Sequence, residues 1–350
     1  MQYFRYLRSE LLDTIHCGYY NEINRVARTA KRAWGPEPGG DTWFLYFEGL
    51  VVLELKKPAS IDEQIQRLIY HKMDIADAEF AKQVLSEINY YRFTGYAIQF
   101  RDTVNKDDYI PDTKFETVWR LHCFDSELRS ILKTYLDIVE LYARTKIAYE
   151  FSMKKCIKPP HNQHYDPSNF HNKHSHNKII IDGLDRAKKN SKDSLFVKHH
   201  EINYGGIMPL WVAMELLSFT NLSKLFSAMF RNDQDAIARS MGTTCITLKN
   251  HLHCLANLRN KVAHAGRLYN IAYNPPAMLG RKYLQRNPGI KIDMFFAYLI
   301  TLIRRCPNKQ TKEVLINDME NIMQKYIDCI QLPLLGFPND YMFHLNNAIK

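Results

Sequence analysis

The chain has few of the residues that break helices or turn strands. Only 14 glycines and 14 prolines occur in 350 residues, and few segments show the alternation of apolar and polar residues that is typical of strands. Long apolar runs are also missing. The most apolar run, 42–55, contains Glu48 and Glu54 and is too short to cross a bilayer. The sequence therefore predicts an all-α protein without a membrane span.

Cysteines are few, odd in number and scattered. None of the seven is spaced as C-x-x-C, which argues against a zinc site and a disulfide framework and indicates reduced thiols. The start, Met1 to Arg8, lacks the apolar core of a secretory signal, so a cytoplasmic location is expected. A glycine-rich phosphate loop, a zinc-protease motif and a G-x-S-x-G elbow are also missing. Neither a metal nor a cofactor is predicted.

Acidic residues are scarce in two segments, which hold most of the net charge of +10. Segment 151–200 carries ten basic residues against four acidic ones, and segment 281–312 carries eight against Asp293. Cations interleaved with aromatic rings suit RNA, with its phosphates and unstacked bases. The alternative is that the aromatic rings form a buried helix seam and the charges solvate its outer face. The candidate RNA-binding residues here are Lys188, Lys189, Arg281, Lys282, Arg286, Lys291, Arg304 and Arg305.

Segment 158–178 is rich in histidine, proline and asparagine and has no helical period. It predicts a mobile basic loop that joins a helix ending near Ser152 to one beginning near Asp182. A transition-metal site is the alternative, but Asp166 is its sole acid and no ligand spacing repeats. The loop is therefore predicted to contact RNA rather than metal. Its histidines are His161, His164, His171, His174 and His176.

The motif R-N-x-x-x-H, formed by Arg259, Asn260 and His264, is the strongest candidate for chemistry. Apolar residues at steps of three and four form a stripe that leads into the motif, and they predict a helix whose inward face they occupy. Gly266 is a candidate helix cap. Arg offers a fixed fork of donors to phosphate, and His titrates near neutrality. The structural alternative is that these side chains bind carbonyls at the helix end. The stripe consists of Leu248, Leu252, Leu255, Leu258 and Val262.

Seven blocks in family order show that the chain resembles the Abi-like (AbiD/AbiF-type) abortive-infection proteins of the HEPN superfamily. The resemblance covers about 57 to 270. In chain order the blocks are Lys57–Ile65, Ile88–Tyr96, Phe124–Arg129, Glu140–Thr145, Pro209–Phe219, Leu222–Leu225 and Arg259–Asn270.

The resemblance implies a HEPN-like helical bundle with additional helices and a metal-independent ribonuclease. In that class the ribose 2′-hydroxyl attacks the adjacent phosphate. His264 would be the general acid or base, Arg259 would stabilise the phosphorane, and Asn260 would position them. Arg267 and Asn270 would support the motif or touch phosphate. The family often has His-His-Ser-Arg where this chain has His264-Ala-Gly-Arg267, which removes one imidazole.

One motif per chain implies a homodimer if two motifs form a composite site. Relatives of the AbiF type are associated with small non-coding RNA, so a non-catalytic RNA-binding protein is the second interpretation. A helical protein with a purely structural motif is the third. The expected organisation is an N-terminal extension (1–55), an Abi-like core (56–275) and a basic helical region (276–350).

Local patterns predict helices and their ends. Ser60 and Glu63 form a capping-box pattern at the first helix. Residues 89–96 are expected to form an aromatic-rich connection with a turn at Gly95. The predicted helices are 60–72, 74–86, 114–133, 134–153, 180–200, 209–230, 232–241, 244–265, 292–305 and 312–331.

Overall fold

The computed structural model describes residues 57–349, and the chain from Ala59 onward forms one compact unit. The predicted N-terminal extension and the apolar run 42–55 lie outside the described residues. Within them the only β contacts are three isolated bridges, and the all-α prediction is confirmed. No helix in 57–349 is long and apolar enough to cross a membrane.

The described helices, numbered here in chain order, are α1 (Ile61–Tyr70), α2 (Ala78–Glu87), α3 (Tyr90–Ala97), α4 (Phe115–Lys155), α5 (Lys173–His176), α6 (Asp182–Asn190), α7 (Leu195–Tyr204), α8 (Leu210–Ala213), α9 (Phe219–Ala228), α10 (Arg231–Ser240), α11 (Cys245–Ala263), α12 (Arg281–Arg286), α13 (Phe295–Arg305), α14 (Lys309–Lys325) and α15 (Tyr341–Ile349). The predicted capping box at α1 is confirmed: Ser60 Oγ accepts from the amide of Glu63, whose carboxylate accepts from the amide of Ser60.

Helix α4 is the central element of the fold. It runs unbroken for 41 residues, so the prediction of two helices, 114–133 and 134–153, is wrong. No glycine or proline occurs between 114 and 155, and nothing else in the stretch interrupts the helical hydrogen bonds. Helices α3, α8, α10, α11, α13 and α14 pack around it. The interior is made largely of leucine and phenylalanine, each contributing roughly 1.5–3 kcal/mol when fully buried.

Two predicted helices are divided in the structure. The stretch 180–200 contains α6 and α7, separated at 191–194. The stretch 209–230 contains α8, a 3-10 turn and α9. Helix α9 restarts because Ser218 is in an extended conformation and accepts from the amide of Asn221 as an N-cap. The expected connection 89–96 is instead helix α3, with Asn89 as its N-cap. Gly95 lies inside this helix rather than at a turn.

The histidine-rich segment 158–178 contains short helical turns and is anchored by three buried side chains, His164, Phe170 and His176, while its mobility stays a prediction. It contains 3-10 turns at Gln163–Tyr165 and Pro167–Asn169 and then helix α5. His164 and His176 are fully buried, and Nε2 of His176 binds the carbonyl of His164 at 2.7 Å. These two imidazoles are out of reach of RNA. No group of three or more potential metal ligands occurs in the part of the chain that the structure describes.

The aromatic residues of segment 281–312 differ in burial: those of α13 are core residues, whereas Tyr283 is half-buried and packs against the core. Phe295, Phe296 and Tyr298 are fully buried in α13, which packs against α11, α14 and α15. The predicted boundary near residue 275 stays a prediction.

Candidate functional site

The end of α11 places the R-N-x-x-x-H motif at the surface. The predicted inward stripe is confirmed: its four leucines are fully buried and Val262 nearly so. The helix closes with a Schellman motif: the amide of Gly266 donates to the carbonyl of Lys261 at 2.7 Å, and the amide of Ala265 donates to that of Val262. Ala265, at φ +51°, takes the left-handed position. The left-handed residue at the helix end is therefore Ala265, and the candidate cap Gly266 follows it.

The three motif side chains have different surroundings. His264 is the C-cap residue of α11 and is exposed, and within residues 57–349 its imidazole has no partner. The side chain of Arg259 is 36% exposed, and its Nε lies 3.6 Å from Glu140 Oε2. Asn260 donates to Thr220 Oγ1 at 3.1 Å. Arg259 and His264 do not bind the carbonyls at the helix end, so the structural alternative of helix capping does not describe them.

Glu140 connects the motif to two other blocks of the chain. Its carboxylate is nearly buried and pairs with Arg144 at 2.8 Å, one turn further along α4. Arg144 also donates to the carbonyl of Leu217 at 3.0 Å and approaches Glu215 at 3.7 Å. Burial raises the pKa of Glu140, and the charges of Arg144 and Arg259 oppose this rise. Glu140 and Arg144 are four residues apart on one helix, a spacing that can be read from the sequence, whereas the contact of Glu140 with Arg259 cannot.

A buried carboxylate fixes the chain just after the motif. Asp125 on α4 is fully buried and accepts from the amides of Leu268 and Tyr269, from the hydroxyl of Tyr96 and from Arg129. Burial raises the pKa of Asp125, but every partner is a donor, so the arrangement accommodates the carboxylate form. Asp125 therefore anchors the backbone that follows His264.

Two arginines tie α3 to the same turn. Arg92 donates to the carbonyl of Ala265 at 2.7 Å, and Arg267 donates to the carbonyl of Gly95. A Cβ at Gly95 would lie 3.3 Å from Nη1 of Arg267, so the glycine allows this close approach. Arg267 thus ties the turn after the motif to α3. Asn270 is half-buried in a left-handed conformation at φ +50°.

The remaining basic candidates divide into exposed and internally bound side chains. Lys188 is only 16% exposed, pairs with Asp185 and donates to the carbonyl of Gly206, which limits its access to RNA. Arg305 is buried and donates to the carbonyl of Met241, so it does not lie on the exposed surface, and its contact with RNA stays a prediction. Arg304 donates to the carbonyl of Leu279. The exposed candidates are Lys189, Arg281, Lys282, Arg286 and Lys291.

A groove of about 290 Å³ lies beside the Glu140–Arg144 pair. Arg144, Tyr149, Met153 and Trp211 are among its lining residues. The indole of Trp211 is 56% exposed and the ring of Tyr149 is 59% exposed. The groove therefore combines two accessible aromatic rings with Arg144, which is already paired with Glu140, and with the acidic Glu215, which also lines it.

The fold and the site define an all-α protein that presents an arginine and a histidine at the end of a buried helix. The family model for Abi-like proteins matches residues 83–270, more than half of the chain, and the protein belongs to this family. The match spans α3, α4, α11 and the motif. Membership indicates a function in abortive infection. Neither the curated proteins nor the solved structures contain a match.

Proposed function

We propose that this protein is an abortive-infection ribonuclease that cleaves RNA without a metal at Arg259 and His264. The observation that carries the proposal is the contrast between the exposed imidazole of His264, which has no partner among residues 57–349, and the extensively hydrogen-bonded backbone that holds it. A catalytic side chain has to be held close to its productive geometry by packing and by supporting hydrogen bonds. Here Asp125, Arg92 and the Schellman turn fix the chain on both sides of His264.

Arg259 has the chemistry to bind the phosphate. The contact with Glu140 engages Nε only, at 3.6 Å. A guanidinium has five N–H donors, so donors remain for phosphate oxygens. Glu140 and Asn260 keep the side chain and its neighbour in place, and the aromatic rings of the adjacent groove can stack on unpaired bases.

The HEPN-like mechanism needs two imidazoles. The ribose 2′-oxygen attacks the adjacent phosphorus while one imidazole takes the 2′ proton. The bond to the 5′-oxygen breaks, and a second imidazole donates a proton to that leaving oxygen. Arg259 stabilises the charge on the phosphorane. Since each chain supplies one motif, the second imidazole is His264 of a second copy in a homodimer.

A non-catalytic RNA-binding protein, with a small non-coding RNA as its partner, is the second candidate. The exposed cations of α12 favour it: Arg281, Lys282 and Arg286 are accessible and lie apart in the chain from the motif. Such a protein would bind RNA through this helix without needing His264.

The decisive experiment compares RNA cleavage and phage protection by His264→Ala and His253→Ala. Both histidines are exposed on or next to α11, but His253 lies outside the motif. We expect His264→Ala to lose about a hundred- to ten-thousandfold in cleavage rate, as is typical for a general acid–base group, and His253→Ala to keep it. The melting temperature of both variants should stay near that of the wild type, because neither side chain is buried.

A second pair extends the test to the phosphate-binding group. Arg259→Ala should abolish cleavage, while Lys249→Ala, an exposed cation on the same helix, should not. If the motif variants are stable and still protect fully, the ribonuclease proposal fails and RNA binding becomes the better account. Light scattering should show a dimer at micromolar concentration, and a monomer with and without RNA would exclude the composite site.

A further inference from the structure

A second cavity, of about 520 Å³, is lined by three cationic side chains and, among residues 57–349, by no acidic one. It is formed by residues of α4, α11, α13, α14 and α15 and by the turn that ends α10. Arg304, Arg305, Lys312 and His251 are among the residues that line it. Arg259, Asn260 and His264 are not.

Arg305 is the most buried of the cations. It is 7% exposed, and its Nη1 donates to the carbonyl of Met241 at 3.1 Å. Met241 is the C-cap of α10, and Gly242 follows in the left-handed conformation at φ +65°. This carbonyl accounts for one donor, but Nε of Arg305 is buried without a partner among residues 57–349. A helix carbonyl also carries no net charge, so the guanidinium is not neutralised.

The other two cations are held in the same way. Arg304 donates to the carbonyl of Leu279 at 2.8 Å and lies over the ring of Tyr283. Lys312 donates to the carbonyl of Ile349 at 3.1 Å. In the described part of the chain neither forms an ion pair with a carboxylate.

His251 adds a buried polar atom to the wall. The residue is 1% exposed and its Nε2 donates to the carbonyl of Met278 at 2.8 Å, while Nδ1 has no partner among the described residues. Thr243 and Thr247 also line the cavity and carry hydroxyl groups, which can donate to an anion.

Three positive charges around one cavity repel one another unless a negative charge joins them. Burial lowers the pKa of Arg304, of Lys312 and, to about 10, of Arg305. Nearby cations lower the pKa of Arg305 and Lys312 further. A buried charge is costly when no counter-ion accompanies it. The cavity is thus complementary to an anion, which would supply the missing charge.

We propose that this cavity binds a phosphomonoester group. A phosphate presents several oxygen acceptors to guanidinium, ammonium and hydroxyl donors at once. The volume falls in the range of small-molecule sites and exceeds what a single phosphate needs, so the rest of the ligand has the size of a nucleoside. The source is a free nucleotide or the 5′-phosphate end of an RNA.

Calorimetric titration with adenosine monophosphate and with adenosine tests the proposal. We expect the monophosphate to bind and adenosine to bind much more weakly, since the phosphate makes the charged contacts. Lys312→Gln should weaken binding of the monophosphate roughly ten- to a hundredfold, the loss of one hydrogen bond between charged groups. Lys309→Gln is the matched control: it removes the same charge from the same end of α14, where Lys309 is exposed and pairs with Glu313. It should change affinity by less than about twofold, as exposed pairs contribute little.

Equal binding of the two compounds, no binding of either, or equal losses in the two variants would overturn the proposal. RNA oligonucleotides with a 5′-phosphate or a 5′-hydroxyl distinguish the sources. If only the oligonucleotide with the 5′-phosphate displaces adenosine monophosphate, the ligand is an RNA end. If neither oligonucleotide displaces it, the ligand is a free nucleotide. His264→Ala should leave nucleotide binding unchanged, so this inference stands or falls separately from ribonuclease activity.

Discussion

Replacement of Asp125 by alanine should strongly destabilise the fold and release the segment that follows His264. The carboxylate accepts from two backbone amides, one hydroxyl and the nearly buried guanidinium of Arg129. Its removal leaves Arg129 as an uncompensated charge, which costs about 3–5 kcal/mol. Each amide left without an acceptor adds about 1–3 kcal/mol where water cannot reach it.

Calorimetry of the wild type, Asp125→Ala and Asp137→Asn measures this effect. With about 2 °C lost per kcal/mol in a domain of this size, the melting temperature of Asp125→Ala should fall by roughly 6–22 °C, depending on how far water reaches the two amides. Asp137 is exposed on the same helix, and its variant should stay within about 1 °C. The double variant Asp125→Leu/Arg129→Met should recover part of the loss because no lone charge remains. A decrease of less than about 3 °C in the melting temperature of Asp125→Ala would refute the anchoring role of this carboxylate.

Two further predictions concern pH and salt. Burial lowers the pKa of His251 to about 3 and that of His164 to about 4, so below pH 6.5 the unfolded chain binds protons that the folded chain does not. The free energy of unfolding should fall as the pH decreases from 6.5 towards 4, by roughly 2 kcal/mol per histidine at about pH 5. Burial also lowers the pKa of His122 to about 4, so three histidines contribute. In urea titrations His251→Gln should therefore lose about a third of this dependence, and an unchanged dependence would contradict the assignment. Charge reversal at Arg281, Lys282 and Arg286 should lower the log–log salt slope of RNA binding by about 2, at about 0.7 per phosphate contact. A constant slope would remove α12 from the RNA-binding surface.

Local patterns predicted much of the helical structure. The apolar stripe of α11, the capping box at Ser60 and the core position of Phe295 and Phe296 all depend on neighbours within a few residues. The continuity of α4 could also have been predicted, because its sequence contains no helix breaker. The division of 209–230 was harder to foresee, because Ser218 ends one helix and starts another only where packing places it in an extended conformation.

The candidate site was only partly accessible from the sequence. The exposed position of His264 followed from the occupied inner face of its helix. The role of Asp125 did not, because its acceptors serve amides 143 and 144 residues away along the chain. The burial of Arg305 was missed for a different reason: every residue from Phe295 to Ile303 is buried, so α13 has no fully solvent-facing side on which its charges could lie.

The length of α4 constrains where this protein can gain or lose residues. Asp125 and Glu140 hold the two sides of the candidate site from one helix, about 22 Å apart at 1.5 Å per residue. A single residue inserted between them would rotate one carboxylate by about 100° relative to the other. One of the two would then leave its partners, either the amides after His264 or the guanidinium of Arg259. The helix therefore fixes both the distance and the angle between the two carboxylates.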